Sequence, residues 1–219
     1  MNSKDIITDR DYYECDGGRV HIGYDEEDDI YELSNSYSNK SSRNIHTLFI
    51  PNSINGKAIT IYGDLLDGMP DIERFEVAED NPHFCLYEGG LYSKDMTELI
   101  FMPPKYVGKT FFVPDSVIKI ADSALYRGCL ETIVIPEGCQ RMIEYSCSAV
   151  KSLKRIYIPK SMEFIGFKAF VGTAPEEVFY GGSEEDKAKI DFCDEGFNAG
   201  LLDAVWHYNC VIPKSPDEI

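Results

Sequence analysis

Ile120-Ala121-Asp122-Ser123-Ala124-Leu125-Tyr126-Arg127-Gly128-Cys129-Leu130-Glu131-Thr132-Ile133-Val134-Ile135-Pro136 carries both markers of a repeating unit, and its reading decides the fold. Its last four residues form an apolar-x-apolar-Pro pattern that returns at Leu48-Phe49-Ile50-Pro51, Phe111-Phe112-Val113-Pro114 and Ile156-Tyr157-Ile158-Pro159. Phe75-Glu76-Val77 and Val178-Phe179-Tyr180 repeat it without the proline. Strand starts at 111, 133, 156 and 178 give periods of 22, 23 and 22 residues. A second marker keeps the same phase: Ile61, Ile120, Ile143 and Ile165 each precede a strand start by 13 or 14 residues. A small residue and then an apolar one follow at Ala124-Leu125 and Ala169-Phe170, with Leu65-Leu66 in the corresponding place. The Ile143 coil has Cys147-Ser148 there, so its inner packing is expected to differ.

Self-similarity at this period signals a solenoid. Each coil makes one short strand and one return segment, and neither buries its apolar side alone. Stacking the coils aligns equivalent apolar residues in a ladder and pairs the strands in parallel. The proline after each strand lacks an N–H for the ladder, so it belongs where pairing ends. Return segments of about ten residues leave room for a single helical turn. The spacing therefore predicts parallel strands at 48–50, 75–77, 111–113, 133–135, 156–158 and 178–180, paired in that order.

The unit at Ile120–Pro136, and again Ile165-Gly166-Phe167-Lys168-Ala169-Phe170, resembles the BspA-like leucine-rich repeat. The resemblance covers roughly residues 45–210. It includes an irregular hairpin coil from Asn81-Pro82-His83-Phe84-Cys85 to Gly89-Gly90-Leu91-Tyr92-Ser93-Lys94-Asp95 and the entry Ile50-Pro51-Asn52-Ser53-Ile54-Asn55-Gly56-Lys57. Phe179-Tyr180-Gly181-Gly182-Ser183-Glu184-Glu185-Asp186 and Val205-Trp206-His207-Tyr208-Asn209 are similar to the family's closing segment. The fold this implies is a right-handed, β-rich leucine-rich-repeat coil stack with one parallel sheet, a β-hairpin N-terminal cap and a short helix-plus-strand C-terminal cap. For function the resemblance implies bacterial, often surface-exposed proteins that bind host proteins, matrix or other cells. It brings no catalytic residues with it.

Open ends of a strand stack template aggregation, so solenoids close them. Tyr12-Tyr13-Glu14-Cys15, the turn Asp16-Gly17-Gly18 and Arg19-Val20-His21-Ile22 read as a hairpin cap. Ser34 to Asn44 is polar and reads as a mobile loop. Between strand starts 75 and 111 the spacing swells to 36 residues, read as a hairpin projecting from the solenoid edge. Ser183-Glu184-Glu185-Asp186 resembles a capping box opening a helix to about Ile190. A last strand near Val205–Tyr208 and a frayed tail from Pro213 to Ile219 follow. No linker interrupts the chain. It is expected to be one domain over 1–219, with a cap and loop at 1–44, repeats at 45–180 (irregular at 78–110), and a cap and tail at 181–219.

The chain has 38 acidic and 21 basic residues, a formal net charge of −17. That field repels phosphate backbones, and with no basic patch nucleic acid is not an expected partner. The acidic run Asp25 to Asp29 reads as a solvated loop, since a calcium loop would alternate its ligands around a glycine turn. No stretch reaches the ~18 apolar residues of a membrane span, and the first residues hold no apolar core of a signal peptide. Localisation stays open, because the family is often secreted. Seven scattered cysteines without a CxxC pair read as free thiols, with Cys129 and Cys147 buried in coils.

Nothing in the chain reads as catalytic, metal-binding or cofactor-binding: phosphate-loop patterns are missing, and His21, His46, His83 and His207 each sit on or beside a strand. The informative surface is the concave sheet face. In an apolar-x-apolar strand the flanking side chains point inward and the middle one outward. The outward line is Phe49, Glu76, Phe112, Val134, Tyr157 and Phe179, and a parallel line holds Thr47, Arg74, Thr110, Thr132, Arg155 and Glu177. Exposed aromatics flanked by Arg suit a protein interface. Phe49, Arg74, Glu76, Phe112, Val134, Arg155, Tyr157 and Phe179 are thus the candidate partner-binding residues of a non-enzymatic protein-binding module. The alternative is a structural or self-associating spacer, possible as a homo-oligomer. Ordinary cross-strand packing also selects aromatic and β-branched residues in these places.

Overall fold

The computed structural model describes residues 5–34 and 44–219, so the polar segment read as a mobile loop lies, but for its two end residues, outside the described residues. Strands Thr110–Phe112, Thr132–Val134, Arg155–Ile158, Glu177–Tyr180 and Val205–His207 form one five-stranded parallel sheet in chain order. Phe111, Ile133, Ile156, Val178 and Trp206 are in register across it. Phe111, Ile133, Ile156 and Val178 are buried, as the alternation requires.

Thr47–Ile50 and Arg74–Val77 also pair in parallel, but as a separate two-stranded sheet. The single continuous ladder expected from the repeat is therefore broken between Arg74–Val77 and Thr110–Phe112. The excess chain between them explains the break. Phe84–Tyr87, Gly90–Ser93 and Glu98–Phe101 form an antiparallel meander. It does not project from the edge: Leu91, Tyr92, Leu99 and Phe101 are all buried. Glu98–Phe101 pairs in parallel with Lys119–Ile120.

That pairing opens a second ladder on the return side of the coils, which the sequence pattern did not show. Lys119–Ile120, Arg141–Met142, Phe164–Ile165 and Asp191–Phe192 extend the meander into a seven-stranded sheet. Strands of two residues cannot display a period-2 alternation, so only the spacing of their isoleucines was visible. The register also corrects one assignment: Ile120 and Ile165 align with Met142, not Ile143. Met142 is fully buried and Ile143 is half-buried. Shifting by one residue restores the small–apolar pair as Ser146-Cys147, both at 0% exposure, beside Ala124-Leu125 and Ala169-Phe170. No inner packing is lost.

The corners between ladder and strand are equally regular. Ser123 and Arg127, Tyr145 and Ala149, and Lys168 and Gly172 all hold positive φ, between 53° and 70°. Only Gly172 among these six favours that region intrinsically, so the stack imposes it on the others. Leu125 and Cys147 donate backbone N–H groups to Ser146 and Ala169 carbonyls of the following coil, at 2.8 and 2.9 Å. Each coil thereby satisfies the buried polar backbone of its neighbour.

Two apolar clusters fill the interior, one running from Tyr92 through the regular coils to Leu201 and the other from Tyr13 to Phe101. All seven cysteines are free. Cys139 and Cys147 lie in the core, but Cys129 is exposed, because Leu130 takes the inward place at that turn.

At the N-terminus Tyr12–Cys15 and Gly18–Asp25 form the expected hairpin, with a two-residue turn at Asp16-Gly17. Gly17 has φ +87° and a Cβ there would lie 2.1 Å from the Asn44 carbonyl oxygen, so only glycine fits. The Tyr13 hydroxyl donates to the Phe49 carbonyl at 2.7 Å and fixes the cap on the first sheet strand. The acidic run is the turn into Ile30–Leu33, which docks in parallel on Ile59–Ile61. At the other end Ser183 caps helix Glu184–Lys187 in a capping box with Asp186, and that helix stops earlier than expected. Asn198, fully buried, accepts from Phe170 N–H at 3.0 Å and donates to the Gly166 carbonyl at 3.0 Å. The tail is not frayed from Pro213: Ile212 and Pro213 are buried, and Lys214 N–H donates to Glu218 Oε2 at 2.8 Å.

Candidate binding surface

Phe112, Val134, Tyr157, Phe179 and His207 stand in register across the outward side of the five-stranded sheet. Rings of Tyr157 and Phe179 stack at 4.7 Å and 15°, and those of Phe179 and His207 at 4.7 Å and 18°. That separation is the inter-strand spacing itself, so backbone pairing brings the rings to stacking distance. Phe112, Val134, Tyr157 and Phe179 gather with Ile212 in an apolar cluster separate from the interior, which places them on the face that the alternation assigns.

The run is not bare. Val134 is 2% and Tyr157 8% exposed, and the residue lying on them is Ile212, itself 7% exposed. The closing segment arrives by Asn209 N–H to the Gly182 carbonyl at 2.8 Å and Cys210 N–H to the Tyr180 carbonyl at 2.9 Å. Burial accordingly pushes the Tyr157 phenol above its ordinary pKa. In the neighbouring line the Glu177 carboxylate is flanked on both sides, lying 3.7 Å from Arg155 Nε and 3.0 Å from His207 Nε2.

The break in the ladder separates Phe49, Arg74 and Glu76 from this run. They line a cleft of about 460 Å³ together with Thr47, Ile6 and the cap residues Glu14, Cys15 and Asp16. Of its three carboxylates, Glu14 pairs with Arg19 at 3.2 Å and Glu76 lies 3.7 Å from Arg74, with Asp16 beside them. Burial first, with Glu14 and Asp16 adding to it, pushes the Cys15 thiol up to about 11. Such a thiol stays protonated at neutral pH and is a poor nucleophile. A second hollow of about 890 Å³ lies on the cap beside Arg10, Tyr12, His21 and Tyr24. Among the described residues, no group of three or more His, Cys, Asp or Glu could hold a metal ion.

The structure thus divides the eight sequence candidates into a cleft group (Phe49, Arg74, Glu76) and a sheet-run group (Phe112, Val134, Arg155, Tyr157, Phe179), in which Val134 and Tyr157 are buried, Phe112 and Phe179 half-buried and Arg155 exposed. Sequence reasoning missed His207, although the Val205–Tyr208 strand was expected and the repeat phase would have aligned it with Phe179. It also missed Ile212 and the cap residues Glu14 to Asp16, whose proximity depends on how the two ends fold back.

The family model for a "BspA type Leucine rich repeat region (6 copies)" matches residues 107–186. The coils of this stretch are BspA-type leucine-rich repeats. The BspA-type coils account for four of the five strands that carry the aromatic run. Two solved structures share the solenoid. A leucine-rich repeat protein from Eubacterium ventriosum ATCC 27560 is 22% identical, with a TM-score of 0.55 over 64% of this chain and 37% of that one. The pneumococcal vaccine antigen PcpA is 20% identical, with a TM-score of 0.55 over 64% of this chain and 40% of that one. The chain therefore spans about two fifths of the length of these neighbours, and the likeness concerns the fold alone. No curated protein matches the chain. No helix of the described residues is long and apolar enough to cross a membrane.

Proposed function

We propose that this BspA-type repeat chain is a non-enzymatic protein-binding module that takes a polypeptide partner on the outward face of its repeat sheets, entering at the cleft over Phe49. The observation that carries this is the cleft itself: repeat strands floor it with Phe49 set among Thr47, Arg74 and Glu76, the cap hairpin walls it, and carboxylates outnumber cations in its lining. A partner segment with Lys or Arg beside an apolar anchor complements that lining. Adhesion to another cell or a host protein is the setting the family resemblance implies for such a surface.

Peptides selected from a random library on the intact chain test this. Phe49→Ser should weaken the selected peptides by roughly 2 kcal/mol, as loss of a central aromatic anchor does. Glu76→Lys should reverse any preference for basic peptides. Selected peptides that bind both variants as they bind the parent would remove the cleft from consideration. The self-associating spacer is the second reading, and Val205, 59% exposed on the terminal strand Val205–His207, is the observation that favours it. An open edge strand can pair with another copy. Light scattering that shows a monomer at every concentration excludes it.

A further inference from the structure

We infer that the aromatic run Phe112–Val134–Tyr157–Phe179 is a second docking groove, made for an extended segment with an aliphatic residue followed by proline, and that the chain's own Ile212-Pro213 occupies it as an exchangeable strap. The inference rests on the reading of the outward sheet face as the binding surface, and it names the partner chemistry for the half of that face which the cleft does not include.

The seated segment shows what the groove accepts. Ile212 is 7% exposed and Pro213 is buried, whereas Val211 is 87% exposed and Lys214 also faces solvent. The contact is thus one inserted aliphatic residue, followed by a buried proline, with outward-facing neighbours on either side. Ile212 packs against Val134 and Tyr157, flanked by Phe112 and Phe179, and this cluster is separate from the two that hold the solenoid together. Proline suits the place because it brings no N–H that an apolar face would leave unpaired, and its restricted backbone loses less freedom on docking.

Attachment is light where it matters. Backbone hydrogen bonds tie Asn209 and Cys210 to Gly182 and Tyr180, but among the described residues none ties Val211, Ile212 or Pro213 to the sheet. Side-chain burial alone holds the strap down, and a competing segment of the same kind can replace it without breaking the repeat ladder. A tethered occupant has a high effective concentration, so a partner binds only when its own contacts outweigh the tether or when the tail is pulled away.

The probe is a fluorescent peptide of residues 208–219 added to the full chain. Wild type should bind it weakly, because the strap is in place. The Ile212→Asp chain, its own strap released, should bind it at least tenfold tighter, and Tyr157→Ser in that background should abolish the gain. A peptide carrying Ile212→Asp should not bind either chain. If Ile212→Asp leaves the circular dichroism unchanged and still does not take up the peptide, the strap is a fixed part of the fold and the inference fails. Should that chain not fold, Ile212→Ala replaces it, and the parent chain gives the answer with a millimolar excess of peptide. Side-chain resonances of Val134 and Tyr157 must then shift, and unmoved resonances overturn the inference. Phe49→Ser should leave this peptide's binding unchanged, so failure at the cleft and failure at the groove are read separately.

Discussion

Cys129 and Cys147 are one chemistry in two environments, because one stands at a solvent-facing corner and the other inside a coil. With a disulfide-forming reagent at pH 8, Cys129 and Cys193 should react within the mixing time, and Cys139 and Cys147 only after denaturant is added. Burial also carries a pH consequence. It raises the Cys15 thiol to about 11 and the Cys139 thiol to about 12, against roughly 8.5 for an unfolded thiol. Groups whose folded pKa is raised contribute stability that is complete below the unfolded value and is lost as pH rises through the folded one. The urea midpoint should therefore fall between pH 9 and 12 from this source, and Cys139→Ala should flatten the upper part of that fall. Tyr157 is a residue whose surroundings changed its expected behaviour. On a bare face Tyr157→Ser would cost little, but under Ile212 it should cost about 2 kcal/mol in urea melts, below the ~3–5 kcal/mol of a core aromatic. Half-buried Phe112 should cost about 1 kcal/mol when changed to Ser.

At the scale of elements, the strands were legible because apolar-x-apolar-Pro is a local pattern with a physical cause at every position. The return ladder was not, because two residues leave no alternation to read and because Met142-Ile143 offers two apolar residues where only one is inward. The corners were illegible too: Ser123, Tyr145 and Lys168 adopt left-handed φ without the Gly or Asn that usually signals it. The corrected register makes its own prediction. Ser146 sits where the neighbouring coils have Ala124 and Ala169, and its buried hydroxyl has no hydrogen-bond partner. Ser146→Ala should raise stability by about 1 kcal/mol, since a buried unsatisfied group is removed at almost no change in volume. An unchanged or lowered melting temperature would show that the hydroxyl is satisfied. In the closing element, Ser183→Ala removes the acceptor for Asp186 N–H and should cost about 1 kcal/mol.

On the scale of the whole molecule, long-range closure decided what the repeat pattern alone could not. The outward line was correctly phased, yet a third of its intended length is interrupted by the meander and much of the rest lies under the tail. Both effects come from segments that lack the repeat, so no periodicity could place them. The candidate site was legible as a set of outward side chains and illegible as an accessible surface.

The interruption between Arg74–Val77 and Thr110–Phe112 has a mechanical meaning. Strand pairing, which transmits load from one coil to the next, is continuous on one face only from Thr110 onward. The apolar interior is likewise in two clusters, which meet only at the meander: Leu91 and Phe101 belong to the first, Tyr92 and Leu99 to the second. A chain stretched from its two ends should therefore lengthen in two discrete steps, the shorter belonging to the cap and the first coils. Under such a load the first rupture would release slack while the coils from Thr110 onward stay wound, so the molecule would yield before it unravels.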